Sequence, residues 1–135
     1  MSNLPIFDVA GSAMTAQSVR LSTVASNLAN ADSVSGNPDE AFRAKMPIFE
    51  AMPVAGNAAL SGVKVQAVTE STAAPIKRYE PGNPLADGQG YVYAPDVDPV
   101  AQMVDMISAS RSYQANVEVF NTAKELALAT INMGR

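Results

Sequence analysis

The residues best equipped for chemistry in this chain are carboxylates. Glu80, Asp87, Asp96 and Asp98 fall within one stretch, and paired carboxylates perform acid–base work when their surroundings drive their pKa values apart. Asp98, however, reads as the N-cap acceptor of a helix, Asp96 stands in a solvated loop between prolines, and nothing else marks a substrate cleft. Asp96 and Asp98 could also offer oxygen to calcium. An EF-hand loop needs further ligands at alternating positions, a central glycine and a glutamate at the twelfth, and none of these follows. Gly88-Gln89-Gly90 leads into a strand instead of opening a helix, and GxxxxGK[ST] is absent, so no phosphate cradle is indicated. With zero His, Cys and Trp, histidine triads, thiolate nucleophiles, disulfides and the usual zinc and haem ligand sets are excluded. The sequence offers no cofactor site, no metal site and no catalytic set.

Charge narrows the partners. Nine Lys+Arg against thirteen Asp+Glu give a net charge of −4, which opposes binding to nucleic acid. The one adjacent basic pair, Lys77-Arg78, is a point and not a stripe, with no alternating aromatic platform. The N-terminus lacks the positive flank of a cleaved secretory signal. No segment approaches the roughly 18 apolar residues of a membrane span, so membrane insertion is not expected.

The elements that must position these residues follow from periodicity. A chain of 135 residues, 47% hydrophobic and 16% charged, is one domain's worth of folding protein. From Leu4 to Ala31, Phe7, Ala10, Met14, Gln17, Leu21, Val24, Leu28 and Ala31 recur at spacings of three and four, which predicts an amphipathic helix ending in the breakers of Asn30 to Pro38. Gly11 weakens its interior by about 1 kcal/mol relative to Ala, so the first ten residues are expected to fray. Asp98-Pro99 starts a second helix, with Met103, Met106, Ser110, Tyr113, Val117, Phe120, Lys124, Ala127 and Ile131 on its seam and Gly134 just past its end. It is a rod of roughly 50 Å. Between the helices, Val63, Val65 and Ala67 alternate with polar residues and Tyr91-Val92-Tyr93 follows a glycine turn, predicting short strands. Asn57 to Gly62 and Ser71 to Pro75 read as loops, and Tyr79 to Pro84 as irregular.

The expected fold is therefore α+β: long N- and C-terminal helices pairing as an antiparallel, coiled-coil-like inner domain (residues 1–36 and 98–135), with a small β-rich insert (37–97). Val100, Val104, Ile107, Val119, Leu126 and Met133 lie off the second seam, so the apolar surface is wider than one partner helix covers. Either the insert folds over the upper half or other chains cover it; the lower half, beyond the insert's reach, calls for other chains. Polar residues within the seams, Gln17, Ser110 and Lys124, suit a helix that stays soluble until its partner arrives.

Two passages carry a resemblance. Asn27-Leu28-Ala29-Asn30 at the end of the first helix, and YVYAPDVDP (Tyr91 to Pro99) leading into MVDMISASRSYQANVEVFNTAKELA (Met103 to Ala127), resemble the flagellar axial proteins, and among them the proximal-rod subunits. The likeness extends to the length, the PGNPLADGQGYVY passage and both terminal helices. It implies a structural subunit of the proximal rod, polymerising through its terminal helices and transmitting torque from the membrane ring to the distal rod and hook. It implies export through the flagellar type III apparatus without cleavage, and assembly in the periplasm. The partners implied are other rod proteins, the adapter between rod and MS ring, and copies of itself.

Carried over residue by residue, Asn27 and Asn30 become helix-end residues of the axial motif. Ser110, Arg111, Tyr113, Gln114 and Asn116 become packing and hydrogen-bonding residues of the helical core, with Arg111 a candidate for a bridge to a neighbour's carboxylate. The assembly set is completed by Met14, Leu21, Val24, Leu28, Met103, Met106, Val117 and Phe120. The sequence departs from the family pattern at Asn83, where histidine is expected, and at Ser35-Gly36, where a Gly-Tyr or Thr-Gly pair is common. A stand-alone binding module or chaperone-like adapter, holding a peptide on the face of Met103 and Met106, is the competing reading.

Overall fold

The computed structural model describes residues 5–54 and 57–134, with the backbone alone for 57 and 58. Helix α1 spans Pro5–Ala29 and helix α2 Pro99–Met133; between them lie β1 (Lys45–Val54), β2 (Asn57–Glu70), β3 (Ile76–Tyr79) and β4 (Tyr91–Ala94). This is the expected α+β arrangement. The expected start of the first helix at Leu4 lies outside the described residues. Proline in the first turn of α1 forgoes an N–H that has no helical partner there, and from Pro5 the helix runs unbroken through Gly11; residues 1–4 of the first ten, expected to fray, lie outside the described residues. At the start of α2 the Asp98 carboxylate accepts from the Val100 N–H at 2.9 Å, with Pro99 at the first position. Gly134 closes its end, donating to the Ile131 carbonyl at 3.3 Å.

Three contacts set the two helices antiparallel. Phe7 and Phe120 meet edge to face with centroids 4.8 Å apart, Arg20 pairs with Asp105 at 2.5 Å, and Asn27 Nδ2 donates to Gln102 Oε1 at 3.1 Å.

The strands form two separate antiparallel pairs, β1–β2 and β3–β4. The first ribbon is longer than the sequence suggests, because Asn57 to Gly62, expected as a loop, belongs to β2. Val54, Pro53 and Met52 lie opposite Asn57, Ser61 and Gly62, and a paired neighbour outweighs weak local β propensity. Pro47 and Pro53 are tolerated in β1 because a residue without N–H can turn that side to the free edge of a ribbon. In the second pair, regular structure stops at Tyr79, and the turn before β4 has Gly90 at φ +83°, a conformation favouring glycine.

The ribbon lies on α1, not on α2. Ser12 Oγ donates to the Val9 carbonyl at 2.8 Å and accepts from the Val63 N–H at 3.1 Å. The approach is so close that a Cβ on Gly62 would stand 2.7 Å from that hydroxyl. Helix α1 thus has two covered sides: the seam of Phe7, Ala10 and Val24, and the side of Ser12, Ala16, Thr23 and Asn27. Among the described residues no strand runs alongside α2. This corrects the reading in which the insert folds over the upper half of the second helix: the ribbon packs on α1 instead.

Candidate assembly interface

Of α2's described residues only Ala109 and Ala123 are fully buried. The contact stripe toward α1 runs through Gln102, Asp105, Ala109, Phe120 and Ala123, turned from the seam read off the sequence. Met106, Ser110, Val117 and Phe120 are half-buried, whereas Met103, Lys124 and Ile131 are exposed and Tyr113 sits at the boundary. The reason is steric. Alanine methyls let two helices approach closely, so the widest side chains are rotated out of the contact. On α1 the expected seam holds, with Val24 buried and Met14, Leu21 and Leu28 half-buried.

A large apolar surface is left over. Val100, Val104, Ile107, Leu126 and Ile131 are each more than half exposed, and Met133 is 81% exposed. Val100, Met103, Val104 and Ile107 form one stripe at i, i+3, i+4 and i+7. Farther along, Ile6 of α1 with Val119, Thr122, Leu126 and Ala127 lines a groove of about 390 Å³ with Glu118 on its rim. The whole chain exposes 8880 Å², whereas a compact monomer of 14.1 kDa exposes about 6700 Å².

The Asn27-Leu28-Ala29-Asn30 motif does more than end a helix. Buried Asn27 donates from Nδ2 to the Lys45 carbonyl and accepts at Oδ1 from the Lys45 N–H, both at 2.8 Å. With its bond to Gln102, it joins α1, α2 and the first residue of β1. Asn30 Nδ2 donates to the Ser26 carbonyl, and the Asn30 carbonyl accepts from Ser33. The link to Lys45 was not legible from spacing, because it joins residues from separate elements.

The SRSYQAN passage departs from the role of a core within one chain. The side chains of Arg111 and Gln114 are exposed and, among the described residues, form no hydrogen bond or ion pair; Tyr113 is 37% exposed. Ser110 is half-buried without a side-chain bond among the described residues, and Asn116 donates to the Ser112 carbonyl of its own helix. These side chains lie beside the alanine contact, so most of their surface faces outward. In the α1 seam, Gln17 Oε1 is buried without a partner among the described residues.

The carboxylates weighed for chemistry hold turns instead. Asn83 Nδ2 and the Arg78 guanidinium both donate to Glu80, and these bonds, with the Arg78 charge, hold its pKa below the ordinary carboxylate range. Asn83, where the family pattern suggested histidine, also accepts from the Leu85 N–H. Asp87 is likewise lowered, first by the Tyr91 N–H and then by that of Gln89. Lys77 stands 4.0 Å over the Tyr91 ring. No group of three or more His, Cys, Asp or Glu converges as a metal site among the described residues, and no described helix is long and apolar enough to cross a membrane.

Comparison with known proteins bears on these surfaces. Residues 7–36 match the family model "Flagella basal body rod protein" and residues 89–133 match "Flagellar basal body rod FlgEFG protein C-terminal". The chain is 57% identical over 135 residues to the flagellar basal-body rod protein FlgC of Escherichia coli O6:H1, and 55% identical to that of Salmonella typhimurium, with 100% of each chain covered. The FlgC of Aquifex aeolicus is 42% identical over 121 residues, covering 88% of this chain and 87% of its own.

Proposed function

The chain belongs to the FlgC family of flagellar basal-body rod proteins and is a structural subunit of that rod; from this premise we propose that it polymerises through its terminal helices in the proximal rod. The observation that carries this reading is the exposed apolar surface of α2, which neither α1 nor the strands cover. The surface in excess of a compact monomer, about 2000 Å² by the size relation, exceeds the roughly 800 Å² per partner of a standard interface.

In this reading residues 1–36 and 98–135 form the inner assembly domain and 37–97 the outer one. The set Met14, Leu21, Val24, Asn27, Leu28, Asn30, Met103, Met106, Ser110, Arg111, Tyr113, Gln114, Asn116, Val117 and Phe120 takes part in building the rod core. The subunit carries torque outward from the membrane ring, touching other rod proteins, the ring adapter and its own copies. It leaves through the flagellar export apparatus with its N-terminus uncleaved, and its role is mechanical, without a catalytic step. The adapter alternative is not favoured by the family assignment, and Met103 and Met106 do not share one open face: Met103 is exposed, Met106 half-buried.

The test uses Val104→Glu with Ile107→Glu, both on the uncovered face. Normal helix content in the purified variant, together with absence of the subunit from isolated basal bodies and loss of motility, is the expected outcome. Normal incorporation would overturn the reading.

A further inference from the structure

We infer that the α2 stripe of one copy seats in the α1–α2 groove of the next copy, a head-to-tail contact between two different patches of the same chain. The inference rests on the rod reading and names the partner of its exposed helix surface.

The two patches match in length, chemistry and charge. Val100 to Ile107 and Val119 to Leu126 each span about 10 Å of helix. The stripe is apolar for its full length and ends in Arg111, an exposed cation with no ion pair among the described residues. The groove is apolar at Ile6, Val119 and Leu126 and is rimmed by Glu118. Glu125, one heptad farther along the same rim, is exposed, and neither carboxylate has a salt bridge among the described residues.

A polar filament requires heterologous contacts with subunits pointing the same way, so the two helices lie parallel. Placing the neighbour's Val100 beside Val119 brings its Ile107 beside Leu126. In this register the neighbour's Arg111 stands about 7 Å along the axis beyond Glu125, a gap for the length of the arginine side chain to span. With the helices parallel, stripe and groove are offset by about 28 Å along α2, a step that no two-fold rotation undoes, so the contact propagates; an antiparallel two-fold would instead pair the same two patches reciprocally. The excess exposed surface is enough to supply two such patches per chain.

The chain has no cysteine of its own, so introduced thiols report alone. In basal bodies from cells expressing a Val104→Cys, Thr122→Cys variant, oxidation or a short bismaleimide should link copies of this chain into species larger than a dimer; linkage that stops at the dimer would mean a reciprocal two-fold pairing and overturn the head-to-tail contact. The single variants should give no such link. Within one chain these positions lie about 27 Å apart on the same helix, out of reach of each other. A second arm uses charge: Arg111→Glu should deplete the subunit from basal bodies while leaving its helix content unchanged, and adding Glu125→Lys should restore it. If the subunit is in the rod but the thiols link it to another protein or to nothing, or if the charge swap fails to restore incorporation, the pairing is overturned while the rod reading stands. If the wild-type subunit itself is missing from basal bodies, the rod reading falls and the pairing with it.

Discussion

Asn27 shows how one side chain can position several elements. Its amide satisfies both backbone groups of Lys45 while its Nδ2 also reaches Gln102. Asn27→Leu leaves those half-buried groups without their partner, which costs up to about 3 kcal/mol; urea unfolding should show that loss. The carboxylates of Glu80 and Asp87 make a separate, pH-dependent contribution. Both are held below their ordinary values by hydrogen bonds in the folded chain, so the unfolded state binds more protons as the solution is acidified. Their stabilisation is complete above the ordinary carboxylate range and is lost as pH falls through the lowered folded values. Proton titration followed by the Gln89 and Tyr91 amide resonances should therefore show the turn before β4 loosening in acid, and Asp87→Asn should produce the same loosening at neutral pH.

At the scale of elements, glycines separate what a helix tolerates from what a close approach demands. A Cβ on Gly11 would meet nothing within 4 Å, so Gly11→Ala should stabilise α1 by up to about 1 kcal/mol through helix propensity alone. A Cβ on Gly36 would stand 2.5 Å from the Leu85 carbonyl oxygen, in the passage where Ser35 exchanges backbone bonds with Tyr93 at 3.0 and 2.8 Å. Gly36→Ala should therefore lower the thermal midpoint, because backbone on both sides must shift. Opposite signs for the two substitutions in one thermal-melt series would check both statements. The departure at Ser35-Gly36 from the family pattern thus retains glycine where the β3–β4 passage comes closest. The Arg20–Asp105 pair contributes less than its short distance suggests: both side chains are partly exposed, and such pairs are worth about 0–1 kcal/mol.

For the whole molecule, the balance of burial decides behaviour. The buried apolar residues are mostly alanine, and Val92 is the largest side chain fully buried among the described residues. Alanine cores remove little apolar area from water, so the helix pair gains little from hydrophobic burial within one chain. Amide exchange should consequently be fast across residues 117 to 133 of the free protein and slow in the rod. Protection already complete in the free monomer would contradict this. Substitutions at Val117 and Phe120 are a poorer probe of assembly than those at Val104 and Ile107, since Phe120 packs on Phe7 within the chain.

The sequence by itself determined the two terminal helices, the cap at Asp98, the turn at Gly88 to Gly90 and the family, because these depend on local spacing, on backbone chemistry and on continuous runs of residues. It also showed that the second helix carries more apolar surface than one partner could cover. Only the tertiary structure decided which side of that helix is turned to α1, that the β1–β2 ribbon lies on α1, and that Asn27 joins three elements. Helical spacing fixes which residues share a face. Which face wins the contact depends on how closely two backbones approach, and here the alanines and Gly62 set that distance.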